Sequence, residues 1–391
     1  MLRGEGGGGR YFALKSYSKA RLSKVGETAH VLREKKALCA LQPHPFVVSL
    51  HATFQDSTTV YFLLSLGLGG DLRGELVRHQ RRQQPMAEPS VAFHVGILVM
   101  VLGHLHSRGY AYRDLKPENV LIDSQGYALL CDFGTAVHLG QAGRSMTVVG
   151  TWEYAAPEQL EERGSTMASD WWALGVVLLE SLSNKVPFPS GDEDDPLRVI
   201  RAIRDFAHDG GKGGGHSSGG GSCSATAPAA AGGGQQASSS GSGGCGDSRV
   251  SSGGGGGGVS SGSDVDTDLG KAARQLVRSL LQPDESARWA AASSEQLRGV
   301  PFFAGLDWEA LAERRVAPPT VPALLGDADT RNFSHCSLAE GSLDEQVGLP
   351  LDAGALSSTI LSRAASHESD LDSLESRSKR HKVMQDYWEG F

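Results

Sequence analysis

YAYRDLKPENVLID, residues 110–123, sets Arg113, Asp114, Lys116, Pro117 and Asn119 within seven positions of one another, between apolar flanks. A lone aspartate or asparagine in such a stretch is an ordinary turn residue. This stretch is followed, in order, by LLCDFGTA (129–136), GTWEYAAPE (150–158) and SDWWALGVVLLE (169–180). Four ordered motifs at workable spacings do not arise from turn chemistry alone. Asp114, Lys116, Asn119 and Asp132 are therefore the first candidates for a functional site.

Working outward, SVAFHVGILVMVLGHLHSRG (90–109) repeats Val91, Val95, Leu98, Leu102 and Leu105 at helical spacing, and Gly109 suits the position just past a helix end. Residues 168–183 are apolar nearly all round, which predicts a buried helix, with Asp170 available to cap its start. Upstream, RYFALK (10–15) reads as a strand and residues 24–41 as a helix ended by Pro43 and Pro45. FVVSLHATF (46–54) and TVYFLLSL (59–66) read as strands around a QDST turn, and Gly69-Gly70-Asp71 opens a polar helix. Downstream, residues 269–289 form an amphipathic helix and turn, and the chain from 307 reads as an extended tail. Strands come first and helices follow, an α+β order.

Composition bounds the rest. The chain has 391 residues, 39% of them hydrophobic, with 51 glycines and a net charge of −8. That charge gives no reason to expect nucleic acid. Runs such as GGKGGGHSSGGGS between residues 210 and 262 cannot bury enough apolar surface to offset their chain entropy, so a disordered insertion is expected at about 208–264. The five cysteines are scattered without a CxxC or Cys/His cluster, so neither a zinc site nor a disulfide framework is indicated. No signal peptide is visible and no apolar run approaches ~18 residues, so no membrane span is expected. The expected location is cytoplasmic, with the nucleus as the alternative if the basic run SRSKRHK (376–382) acts as an address rather than a solvated tail.

With these motifs in hand, the chain resembles a eukaryotic serine/threonine protein kinase. Tyr112 and GTWEYAAPE point to the AGC group, and LGLGGDL (66–72), DWEAL (307–311), APPTVP (317–322) and DTRNF (329–333) look most like the cyclic-GMP-dependent kinases. The resemblance implies a bilobal α+β kinase fold with an incomplete β-rich small lobe (10–66) after a flexible glycine-rich end (1–9). A helical large lobe (67–306) carrying the insertion and a C-terminal tail (307–391) would follow. It implies ATP and Mg²⁺ as cofactors. Phosphoryl transfer needs positioning and charge neutralisation more than covalent chemistry. Asp114 would orient the substrate hydroxyl and Lys116 would face the transferring phosphate. Asn119 and Asp132 would supply oxygen ligands of the kind Mg²⁺ prefers. Lys15 would hold the α- and β-phosphates and pair with Glu34.

By the same resemblance Ala13, Leu64, Leu66, Leu121 and Cys131 line the adenine pocket, Phe333 closes over it, and Asp71 lies beside the cofactor. Thr147 takes the place of an activating phosphothreonine set by an upstream kinase, with Arg113 and His30 as its cationic partners and Val137 where a lysine is expected. Glu158 and Arg288 match a buried ion pair, and Asp170 matches the anchor of the catalytic loop. Glu118, Glu153, Glu180 and Asp71 fall where related kinases hold substrate arginines, which implies basic protein substrates of Arg-Arg-x-Ser type. Thr151 joins them at the substrate site, while Trp152 replaces the family's proline.

The tetraglycine Gly6–Gly9 is not read as the phosphate cradle. Only fourteen residues precede Lys15, and loop, second strand and turn need roughly 20. The chain thus reads as N-terminally truncated, and cyclic nucleotides would regulate it only through a region upstream. The intact set Lys15, Glu34, Asp114, Asn119 and Asp132 favours an active kinase. The missing loop, Val137 and Trp152 favour the alternative, a non-catalytic binding module. A scaffold working through the glycine-rich insertion has no motif behind it.

Overall fold

The computed structural model describes residues 2–3, 11–25, 28–191, 195–209, 269–291, 293–327 and 329–333. Gly6–Gly9, the expected insertion from residue 210 on, and the tail beyond Phe333, with its basic run and DYWEGF (386–391), lie outside them.

The small lobe is a four-stranded antiparallel sheet, in the order β1-β2-β4-β3, flanked by two helices. β1 (Leu2–Arg3) pairs with β2 (Tyr11–Ser18), so these two residues, expected within a flexible end, add a strand. β3 (Leu50–Gln55) and β4 (Thr59–Leu64) form a hairpin whose turn is fixed by Asp56, which accepts from the Thr58 and Thr59 amides at 2.7 Å each. The expected single helix over 24–41 is two, α1 (Lys19–Val25) and α2 (Thr28–Leu41). Phe46, Val47 and Val48, read as strand, are instead an irregular buried approach to β3, with Val47 bridging Leu130 of the large lobe. One apolar cluster runs from Leu38 and Phe62 in the small lobe into the helices of the large lobe.

β5 (Gly70–Asp71) leads into α3 (Leu72–Arg81), with Asp71 as its N-cap. The long helix α4 (Glu88–Ser107) ends at Arg108, and Gly109 follows at φ +78°, a conformation glycine adopts without cost. By length and composition α4 could cross a bilayer, against the expectation that no run approaches that size, but most of its apolar stretch is buried inside the protein. β6 (Tyr110–Ala111) pairs with β9 (Val137–His138), while β7 (Val120–Ile122) sits between β5 and β8 (Ala128–Leu130). These short pairings hold residues 110–138 as a platform on α4.

Beyond α5 (Pro157–Leu160), α6 (Met167–Ser183) is the predicted buried helix, and Trp171 and Trp172 are almost fully enclosed in it. Its cap is Thr166, paired with Ser169 in a capping box, and not Asp170. Asp170 lies one turn inside, where a side chain can no longer reach the helix's own orphan amides, and serves the catalytic loop. α7 (Pro196–Asp209), α8 (Lys271–Leu280), α9 (Glu285–Ala291) and α10 (Ser294–Arg298) complete the lobe. The tail is not extended throughout: Asp307 caps a short helix, α11 (Trp308–Ala312). It then runs back across the large lobe, where the Tyr127 hydroxyl lies 2.5 and 2.6 Å from the Arg314 and Val316 carbonyl oxygens.

Candidate active site

β2 carries Lys15 opposite Phe62 of β4, and α2 brings Glu34 beneath it. Lys15 Nζ donates to Glu34 Oε1 at 2.8 Å and lies 3.1 Å from Asp132 Oδ1. Burial works against the ammonium, but Glu34 and Asp132 overcome it and push the pKa up. Tyr17, two residues along the same strand face, donates to the other oxygen of the buried Glu34. The sequence reading missed Tyr17; its period-two spacing from Lys15 was the available signal.

The catalytic loop is held from below by α6. Asp170, 1% exposed, accepts from the Tyr112 and Arg113 amides at 2.9 and 2.8 Å and lies 2.8 Å from His106 Nε2. Those contacts fix a stretch that includes Arg113 at φ +73°. Asp114 is surrounded by Lys116, Asn119 and Thr151. Lys116 Nζ sits 3.0 Å from Asp114 Oδ2 and donates to Thr151 Oγ1 at 2.8 Å, and Thr151 Oγ1 in turn lies 3.1 Å from Asp114 Oδ1. Asn119 Nδ2 donates to the Asp114 carbonyl at 2.7 Å and to its carboxylate at 3.1 Å. The amide nitrogen is thereby committed, leaving Asn119 Oδ1 as the atom available to a cation. Asp132, at φ +53° and with its side chain half exposed, offers carboxylate oxygens on the same side as Lys15.

This donor set suits Mg²⁺, which takes few protein oxygens and completes its shell with water and phosphate. Among the described residues no group of three or more His, Cys, Asp or Glu could hold a metal by itself. Ala13 and Leu64 face each other in register, and Gly67 is packed so closely on Leu121 that an added Cβ would come within 2.8 Å of it. Burial pushes the Cys131 thiol up to about 12, so it is uncharged. Leu66, half-buried, lies on the link between the lobes. Asn332 donates to the Leu68 carbonyl at 3.0 Å, anchoring the tail there and leaving half-buried Phe333 beside it.

The activation segment runs from Asp132 to Glu158. Buried Arg113 donates to the Thr135 carbonyl at 2.7 Å, to Ser145 Oγ at 2.8 Å and to the Thr147 carbonyl at 3.3 Å. Burial, with neighbouring Arg33 adding like charge, lowers Arg113 to about 10. Arg33, on α2 three residues beyond His30, is a second cation that the sequence reading did not single out. Thr147 itself is exposed. At the far end Glu158 and Arg288, neither accessible, form a direct ion pair. Arg288 also donates to the Ala168 and Gln282 carbonyls at 2.8 and 2.7 Å.

The four acids expected to hold substrate arginines are partly committed within the chain. Asp71 accepts from the Gly74 amide at 2.7 Å as the helix cap, and Glu153 accepts from Ser190. Glu118 and Glu180 do converge, but upon Arg73, at 2.7 and 2.5 Å. The adjacency that recruits Arg73 spans 107 residues and carries no local signal.

Comparison with known proteins agrees with this geometry. The family described as Protein kinase domain matches residues 5–303, and the chain belongs to that family. Serine/threonine-protein kinase Sgk1 of Xenopus tropicalis is 27% identical over 353 residues, 90% of this chain and 69% of the relative. Sgk1 of Danio rerio is 28% identical with nearly the same coverage, 90% and 67%. Serine/threonine protein kinase ypkA of Aspergillus fumigatus is 30% identical over 344 residues, 88% of this chain and 44% of the relative. Within the family the chain is a serine/threonine kinase of the AGC group. These relatives support that group and not the narrower cyclic-GMP-dependent subtype.

Proposed function

We propose that this kinase transfers the γ-phosphoryl group of Mg-ATP to serine or threonine in proteins that approach across an acidic face. The observation that carries the reading is the joint placement of Lys15, Glu34 and Asp132 on one side and Asp114, Lys116, Asn119 and Thr151 on the other. Mg-ATP, when bound, supplies the phosphoryl donor and much of the charge neutralisation. Lys15, kept charged by Glu34 and Asp132, is the cation for the non-transferred phosphates. Asp132 and Asn119 Oδ1 are the protein oxygens for the metal. Asp114, held by Asn119 and Thr151, accepts the hydrogen bond of the incoming hydroxyl and orients its oxygen for in-line attack. Lys116 leaves Asp114 or Thr151 to meet charge on the moving group.

Asp71, Glu118, Glu153 and Glu180 together outweigh Arg73 by three negative charges, a field that favours basic substrates. Thr147 is the proposed site of activating phosphorylation. Arg113 and Arg33, two guanidinium groups close enough to feel each other's charge, support a phosphate there in place of the lysine that Val137 replaces. The test is phosphate transfer from Mg-ATP to an Arg-Arg-x-Ser peptide, with Asp114→Asn alongside. Transfer lost in the variant supports the reading; no transfer by either protein overturns it in favour of a non-catalytic binding module.

A further inference from the structure

Glu118 and Glu180 form the one pair among the four substrate-facing acids in which two carboxylates close on a single guanidinium, and that guanidinium belongs to the chain. Arg73, in the first turn of α3, donates through Nε to Glu118 Oε1 at 2.7 Å and through Nη1 to Glu180 Oε1 at 2.5 Å. Its Nη2 donates to the Tyr154 hydroxyl, which in turn donates to Glu180 Oε2 at 2.7 Å. Three of the four carboxylate oxygens are thus engaged. Glu180 is 3% exposed, and both of its carboxylate oxygens are taken, one by Arg73 and one by Tyr154. Arg73 itself keeps a side-chain exposure of 27%, at the surface that an incoming peptide would meet.

We propose that Arg73 is a built-in occupant of the Glu118/Glu180 arginine seat, so that this kinase does not select arginine at the substrate position which that seat would read. The inference rests on the assignment of Glu118 and Glu180 to substrate binding made above. The physical reason is exchange of like for like. An arriving arginine that displaced Arg73 would gain the same charge-assisted bonds that Arg73 gives up, with no net increase. One that settled beside Arg73 would meet a net charge of −1 rather than −2 and a single open oxygen on Glu118. Tethering favours Arg73 in either contest. Basic selectivity, where the kinase has it, comes from the wider acidic field and from positions other than this one.

The experiment measures binding of fluorescent peptides by anisotropy, with the acceptor serine replaced by alanine and arginine scanned against alanine through the five preceding positions. Four proteins are compared: the native chain, Arg73→Ala, Glu118→Gln and the double variant. In Arg73→Ala, one upstream position is expected to gain an arginine preference of tenfold or more, about 1.4 kcal/mol. Adding Glu118→Gln should remove that gain, while Glu118→Gln alone leaves the native preference within about twofold. The proposal is overturned if the native chain already prefers arginine tenfold at a position where Glu118→Gln erases the preference. A folded Arg73→Ala that gains nothing overturns it equally. Should Arg73→Ala fail to fold, the native and Glu118→Gln pair still decides the matter. Because the readout is binding, a chain that holds the peptides but transfers no phosphate fails the kinase reading and leaves this one measurable.

Discussion

Removing Arg288 isolates a brace that ties the end of the activation segment to the helical core. Arg288 and Glu158 are both wholly inaccessible, and their pair joins residues 130 apart in sequence. Glu158 Oε1 also accepts from Ser169 at 2.8 Å, whereas Oε2 has no hydrogen-bond partner. Arg288→Met keeps the apolar length of the side chain but leaves the buried Glu158 carboxylate without its cation, with the Ser169 hydroxyl as its remaining donor. It also removes the donors to the Ala168 and Gln282 carbonyls. Breaking a buried pair from one side costs about 3–5 kcal/mol. At roughly 2–4 °C per kcal/mol for domains of this size range, the expected fall in melting temperature is about 10 °C. Calorimetry on the native chain, Arg288→Met, Glu158→Leu and the double variant tests the argument. The double variant should lie well above the sum of the singles, because no charge is left stranded. Arg288→Met melting within about 2 °C of native, or strict additivity of the two singles, would refute the reasoning.

Lys15→Met removes the cation shared by Glu34 and Asp132, and transfer in the peptide assay should fall by at least about 10²-fold. Thr151→Ala deletes the hydroxyl between Lys116 and Asp114, so kcat should drop more than KM rises, with Thr151→Ser restoring most of the loss. Burial, His104 and Arg108 lower His44 to about 4 from 6.5. The unfolded chain then takes up the proton first, so the His44 contribution to stability is complete above pH 6.5 and is lost as pH falls toward 4. Melting followed between pH 7 and 5 should decline less steeply in His44→Asn. Thr147→Ala should abolish the gain in activity that an activating kinase confers, and Arg33→Ala should reduce that gain without altering the basal rate.

Residues 110–123 declare their chemistry in the sequence because the groups that cooperate there are close in the chain. Asp114, Lys116 and Asn119 lie within one turn, and a loop that short admits few arrangements of them. The helix boundaries at Gly109 and the cap at Asp71 were legible for the same local reason. The Lys15–Glu34 pair was read from the resemblance; its two partners lie nineteen residues apart, on β2 and α2. Other roles depend on which surfaces the fold brings face to face. Asp170 was open to two readings, helix cap and, by resemblance, loop anchor; packing of α6 under the catalytic loop turns its carboxylate toward Tyr112 and Arg113, and Thr166 takes the cap. Glu118, Glu180 and Arg73 come from a loop and two helices far apart in sequence. Carboxylates there could serve a substrate or the protein itself, and only the packing of α3 on the catalytic loop, with Arg73 in reach of Glu180, decides that the guanidinium they hold is internal. Local sequence specifies which groups are present and the turns that present them; long-range packing determines which charge is left free to meet a ligand, because charge pairing is settled by distance in space and not along the chain.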